Sequence, residues 1–144
     1  TSGSDILAAQ ALGADLAYIG SRFIATHEAN AVNDYKQMLV DSKTSDILYT
    51  PHFTGVNASF LVPSIENAGF KPEKLTPPLI KKPNKLVLWW KHFWLSRVKK
   101  WRELWSAGQG VGNIQDIISV SDYVRRLQNE YQDSMAAVVK KADN

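Results

Sequence analysis

Gly20-Ser21 is the first pair of residues whose types and spacing could do chemistry. It follows the apolar run Leu16-Ala-Tyr-Ile19, and parallel α/β folds bind ligands at the carboxyl ends of such strands. A glycine there lets backbone N–H groups approach an anion closely, and a hydroxyl adds a donor. The chemistry would be the holding of a phosphate, and so of a cofactor or a phosphorylated ligand. Taken alone, the pair reads first as a plain βα turn. Arg22 offers a guanidinium fork to the same anion, yet an arginine just after a strand reads first as a brace at the sheet rim. His27 offers a general base, but a lone histidine in the first turn of a helix reads first as a surface or capping residue. Asp15, just ahead of the strand, reads as a turn or rim residue.

His52 and His92 complete the three histidines, which are far apart and in no metal-ligand spacing. The chain has no cysteine, so disulfides and thiolate metal sites are excluded. Gly108-Gln109-Gly110-Val111-Gly112 has the wrong spacing for a dinucleotide loop, and no strand precedes it. Its glycines imply close approach of backbone to something flat or bulky, either a cofactor or a neighbouring loop.

These residues need elements to position them. Ser2 or Ser4 caps a first, alanine-rich helix with Asp5 in its first turn, and Gly13 stands where a left-handed stop is expected. Asp15 to Ile19 is apolar on both faces, as in a strand covered by helices on both sides. Thr26 is expected to cap the next helix, whose apolar residues Ala29, Val32, Tyr35, Met38 and Leu39 recur through Asp41. Residues 42–63 are less regular, with Ile47-Leu48-Tyr49 as a short strand ending at Pro51. Ser64 to Ala68 reads as a short helix stopped by Gly69. Four prolines argue against regular structure over 71–84, and residues 107–113 suit neither helix nor strand. The last helix starts near Ser119 or Ser121, with Val120, Tyr123, Val124, Leu127, Tyr131, Met135 and Val138 as its apolar stripe.

The 144 residues suffice for one domain with a real core. The net charge of +3 is unevenly spread: residues 71–102 hold ten of the 17 Lys/Arg and a single acid, which makes that block +9 and the remainder −6. The block is also rich in tryptophan, at Trp89, Trp90, Trp94 and Trp101, with Trp105 beyond it. Membrane-surface and nucleic-acid readings of it exist. The aromatics form no single face, so a surface insertion with solvated lysines is preferred. No apolar run approaches the roughly 20 residues that span a bilayer, and we expect a soluble, cytoplasmic product. The sequence opens on Thr1 in mid-pattern, without the strand that should precede its first αβ step. We therefore expect a larger protein that lacks its N-terminal part, with processing or an artificial boundary as the alternative.

Several stretches, in order, resemble one known family: Asp5-Ile-Leu-Ala-Ala-Gln-Ala-Leu-Gly-Ala-Asp-Leu-Ala-Tyr-Ile-Gly-Ser-Arg-Phe-Ile-Ala-Thr26, Glu28-Ala-Asn-Ala-Val32, Tyr35-Lys-Gln-Met-Leu-Val-Asp-Ser42, Phe53-Thr-Gly-Val56, Pro63-Ser-Ile65 and Trp105-Ser-Ala-Gly-Gln-Gly-Val-Gly-Asn-Ile114. They are similar to the C-terminal half of the nitronate monooxygenases, formerly called 2-nitropropane dioxygenases. Only about 71–100 departs from the pattern. The resemblance implies an α/β fold: the C-terminal part of an FMN-binding TIM (β/α)8 barrel plus part of an added smaller helical domain, truncated at its N-terminus. It divides the chain into a last barrel αβα step at 1–41, an added subdomain at 42–104, and a glycine loop with a C-terminal helix at 105–144.

The same resemblance implies a flavin-dependent oxidation of alkyl nitronates by O₂ to a carbonyl compound and nitrite. It makes Asp15–Ile19 the eighth barrel strand and Gly20 and Ser21 part of the FMN phosphate site, so the phosphate reading of that pair now outweighs the plain turn. Gln109 falls near the flavin pocket. The family's catalytic histidine lies ahead of anything matching Thr1, so His27, His52 and His92 take no catalytic role. The implied partners are the nitronate, O₂ and the missing barrel half, with no nucleic acid and no membrane span. A flavin-type enoyl-acyl-carrier-protein reductase is the nearest alternative, through the Ala-Gly-Gln motif. A non-catalytic basic module binding membranes or nucleic acid is the alternative from another class.

Overall fold

A computed structural model describes residues 1–75 and 103–142. It divides into two compact units, Thr1–Thr44 with Gln109–Asn144, and Ser45–Gly108. The basic tryptophan block lies almost wholly outside the described residues.

The first unit opens with helix α1, Gly3–Ala11. Ser2 caps it: its hydroxyl accepts from the Asp5 amide at 3.1 Å, and the Asp5 carboxylate accepts from the Ser2 amide at 2.9 Å. Gly13, at φ +96°, ends it in the left-handed region, as expected. Helix α2, Ser21–Ile24, and helix α3, Asn33–Asp41, follow. After a 3-10 turn at Gln109–Asn113 comes the long C-terminal helix α5, Val120–Ala142.

α1 packs directly on α5. A Cβ on Gly3 would stand 2.2 Å from the Leu127 carbonyl oxygen and 2.3 Å from the Tyr131 amide nitrogen. Only a glycine lets the two backbones meet this closely. The Gly3 amide donates to Glu130 at 2.8 Å, and the Tyr131 hydroxyl to Gln10 at 2.7 Å. Of the apolar stripe expected on α5, Tyr123 and Leu127 are buried, whereas Val124, Met135 and Val138 stay exposed. Nine residues of α1 reach about 14 Å and cannot cover a helix of about 35 Å.

Three expectations are corrected in this unit. Asp15–Ile19 forms no strand: it is irregular, and Leu16 and Tyr18 are 89% and 99% exposed. A strand exists through hydrogen bonds to neighbours, and no described residue supplies them there. Thr26 caps no helix. Its backbone is drawn into a parallel bridge with Ile118, its hydroxyl donates to the Phe23 carbonyl at 2.8 Å, and the next helix waits until Asn33. The glycine loop is a 3-10 turn, a tight local fold that tolerates glycine in short runs.

Glu28 sits at the positive end of α5. Its two carboxylate oxygens accept from the Val120 amide at 2.9 and 3.0 Å. Ser119 supplies the cap, accepting from the Asp122 amide at 3.0 Å.

The second unit contains an antiparallel hairpin. β1, Ile47–Thr50, pairs with β2, Ala58–Leu61, in the register Ile47↔Leu61 to Thr50↔Ala58. The expected strand at 47–49 is present. β2, which the irregular reading of 42–63 missed, is its partner, so this unit is not purely helical. Helix α4, Val62–Asn67, follows at once and ends at Gly69, φ +82°. Phe53 meets Phe60 and Phe70 edge-on at 5.1 and 5.3 Å, an aromatic cluster among the described residues of the unit. The buried Ser64 hydroxyl donates to the Leu61 carbonyl at 2.7 Å and accepts from the Trp105 amide at 3.1 Å. A 3-10 turn at Pro72–Lys74 interrupts the proline-rich stretch expected to be irregular, since proline suits the first position of such a turn.

Candidate functional site

Gly20 and Ser21 lie where the unpaired segment turns into α2. Gly20 is exposed at φ −106°, ψ −73°, immediately before Ser21 opens the helix. A Cβ built on Gly20 would meet only Tyr18 Cε1, at an ordinary 3.9 Å. Neither crowding within the chain nor a positive φ calls for glycine there. The space beside its backbone is open.

Arg22, the next residue, is taken up by the chain itself. It is 2% exposed. Its Nη1 donates to the Ala25 carbonyl at 2.9 Å, its Nη2 to Asp116 at 2.6 Å, and its guanidinium lies 4.6 Å from the centre of the Tyr123 ring. Arg22 is thus a brace and not an anion ligand. Asp116 is shared with Arg126, which donates to its two oxygens at 3.2 and 2.7 Å. Tyr123 completes the cluster: it meets Phe23 edge-on at 5.0 Å, and its hydroxyl donates to the Thr1 carbonyl at 3.0 Å.

The electrostatics follow from these contacts. Burial pushes Arg22 below its ordinary value, and the Asp116 charge opposes this. The hydrogen bond from Arg126, aided by both guanidinium charges and opposed by partial burial, holds the Asp116 carboxyl below the usual range. Burial raises the Tyr123 phenol, so it stays a neutral donor. Two guanidiniums share the Asp116 carboxylate, and the Glu130 charge also acts on Arg126 and Tyr123.

Of the remaining sequence candidates, Gln109 belongs to the 3-10 turn Gln109–Asn113, which packs against α2. Asp15 and His27 are exposed, and it is the His27 backbone that is engaged, its amide donating to Ile118 at 3.0 Å and its carbonyl accepting from the buried Lys36 ammonium at 3.3 Å. His52 belongs to the other unit, edge-on to Phe53 at 5.3 Å. His92 lies outside the described residues. Gln109 is exposed, with its carbonyl accepting from the Thr44 hydroxyl at 3.0 Å. The neighbouring glycines are explained by the chain itself. A Cβ on Gly110 would stand 2.6 Å from Thr1 Cγ2, and one on Gly112 would stand 2.7 Å from Thr44 Oγ1. Among the described residues no group of His, Asp or Glu could hold a metal ion, and no helix is long and apolar enough to cross a membrane. Tyr123 reads in the sequence as part of the apolar stripe of the last helix, whereas nothing in the sequence marks Asp116. Asp116 is 94 positions from Arg22, and no local spacing marks such a pair.

Known proteins share this architecture. FabK from Thermotoga maritima superposes with a TM-score of 0.72 at 21% identity, covering 97% of this chain and 44% of that one. A nitroalkane oxidase from Streptomyces ansochromogenes gives a TM-score of 0.66 at 25% identity, covering 95% of this chain and 38% of that one. Both are TIM-barrel proteins, so the chain shares its fold with part of such a barrel. A probable nitronate monooxygenase from Bacillus subtilis (strain 168) is 31% identical over 127 residues, which are 87% of this chain and 36% of that protein. The chain therefore spans about a third of the length of that curated relative. The family model for nitronate monooxygenase matches residues 1–130. With nearly the whole described fold inside that match, the chain belongs to the nitronate monooxygenase family.

Proposed function

We propose that this chain is the part of a flavin-dependent oxidoreductase that holds the cofactor's phosphate, with FMN as the cofactor and Gly20 and Ser21 as the anchoring pair. One observation carries the reading: Gly20 is exposed, beside open space, at a turn where nothing in the chain requires a glycine. A bare backbone at the mouth of a first helical turn suits an incoming anion, and the residues present fit the phosphate.

The reaction proposed is that of the family, in which an alkyl nitronate and O₂ give a carbonyl compound and nitrite. When bound, the flavin supplies the redox chemistry. The residues of this chain bind and orient it: Gly20 by leaving its amide neighbourhood open, Ser21 by its hydroxyl, and Gln109 from the turn at Gln109–Asn113, near the flavin. His27, His52 and His92 have no part in proton abstraction. Leu16 and Tyr18, just ahead of the Gly20-Ser21 pair, are left exposed by the described residues.

The test is FMN titration, followed by flavin fluorescence, of the full-length protein and its Gly20→Asp variant. A carboxylate at this position should repel the phosphate and lower affinity by about 100-fold or more. Unchanged affinity would remove the assignment. Turnover of a nitronate with O₂, set against an enoyl thioester with NAD(P)H, separates the monooxygenase from a reductase.

A further inference from the structure

We propose that Arg22 and Asp116 are positioning residues for the Gly20-Ser21 turn: they clamp its backbone to α5, so that a phosphate-bearing ligand meets a preformed cradle. The inference rests on the phosphate reading of that turn and adds to it the side chains that would set its affinity.

A four-residue helix cannot hold its own shape, so the geometry of α2 must come from elsewhere. Arg22, in its first turn, reaches back to the carbonyl of Ala25, the residue just past its end, at 2.9 Å. The same guanidinium reaches Asp116 at 2.6 Å, and Asp116 is held in turn by Arg126 at 2.7 Å. Arg126 belongs to α5, a helix of 23 residues. Phe23, beside Arg22, packs edge-on against Tyr123 of the same helix at 5.0 Å. The turn is thus tied to the longest element of its unit by a line of charge-assisted hydrogen bonds and an aromatic contact. Such bonds are directional and strong for their size. With Nη1 on the Ala25 carbonyl and Nη2 on Asp116, the buried guanidinium is held by partners within the chain. A site held in its binding geometry beforehand loses less entropy on binding, and this appears as affinity.

Removing the Asp116 charge leaves Arg22 buried without its counter-ion, an arrangement that relaxes by moving the arginine. The turn then loses its anchor. Only the phosphate end of the ligand should feel this, which makes FMN and riboflavin the probes. In the full-length protein, Asp116→Asn and Arg22→Lys should each weaken FMN by about tenfold and leave riboflavin within about twofold. Arg126→Gln, at a more exposed position, should act in the same direction with a smaller effect, and decides the matter should Asp116→Asn not fold.

An unchanged ratio of FMN to riboflavin affinity in these variants would overturn the proposal. So would an equal loss of both flavins accompanied by a lower melting temperature, the signature of a merely structural role. Gly20→Asp separates the two levels. If it lowers the ratio and Asp116→Asn does not, the positioning role fails and the phosphate site stands. If neither moves it, both fail.

Discussion

Tyr18 and Arg22 are four residues apart and have exchanged the places their chemistry would assign them. The tyrosine is 99% exposed and the arginine 2%. Around Arg22 every partner is supplied by the chain: a carbonyl at 2.9 Å, a carboxylate at 2.6 Å and an aromatic face at 4.6 Å. Around Leu16 and Tyr18 none of the described residues supplies a covering surface. Burial here follows the availability of partners and not the hydropathy of the residue. A paired guanidinium can be buried, while an apolar segment without neighbours cannot.

Four measurements break or sharpen that contrast. The largest effect is expected at Tyr123, where the buried ring serves Arg22, Phe23 and Thr1 at once. Tyr123→Ala should cost about 4 kcal/mol in urea unfolding, and a cost under about 1 kcal/mol would mean the cluster is not the core it looks to be. Gly3→Val should cost about 3 kcal/mol, because its Cβ would have to enter the α5 backbone. Gly13→Val is the contrasting variant, strained through its positive φ but meeting no atom within 4 Å.

Third comes acid. Asp116 is held below its ordinary value of 3.8, chiefly by Arg126. Its folded value is therefore lower than its unfolded one. The stability it contributes is complete above about pH 4 and is lost as pH falls through the lowered value. Since Asp116 is more than a third exposed, solvent screening limits this to about 1 kcal/mol. The stability gap between the wild-type protein and Asp116→Asn should close as pH drops below 4. The smallest effect belongs to the exposed segment. Leu16→Lys with Tyr18→Lys should shift the stability of these 144 residues by no more than about 0.5 kcal/mol, while reducing self-association in sedimentation. A wild-type chain that is already monomeric and melts cooperatively would break the contrast.

Where structure depends on neighbours a few residues away, it was legible in advance. The Ser2 and Asp5 cap, the stops at Gly13 and Gly69, the strand opening at Ile47 and the start of the last helix beside Ser119 all rest on such local chemistry. Thr26 carried an equally good capping signal, but the bridge to Ile118 overrode it. β2 was hidden because a four-residue strand is too short to display alternation. Gly20 and Ser21 were picked out by residue type and by the family motif. Asp116, which holds their neighbour in place, has no signature in its own surroundings, since its meaning depends on an arginine 94 positions away. The glycines at 110 and 112 were correctly read as close approaches, but the approaching groups are Thr1 and Thr44.

The hydrogen bond from Thr44 to the Gln109 carbonyl closes a gap of 65 positions at 3.0 Å. The polypeptide leaves the first unit and re-enters it at touching points, so everything from Ser45 to Gly108 is an excursion with a common doorway. Adding or removing residues between those two points changes no distance that Thr44 and Gln109 must span.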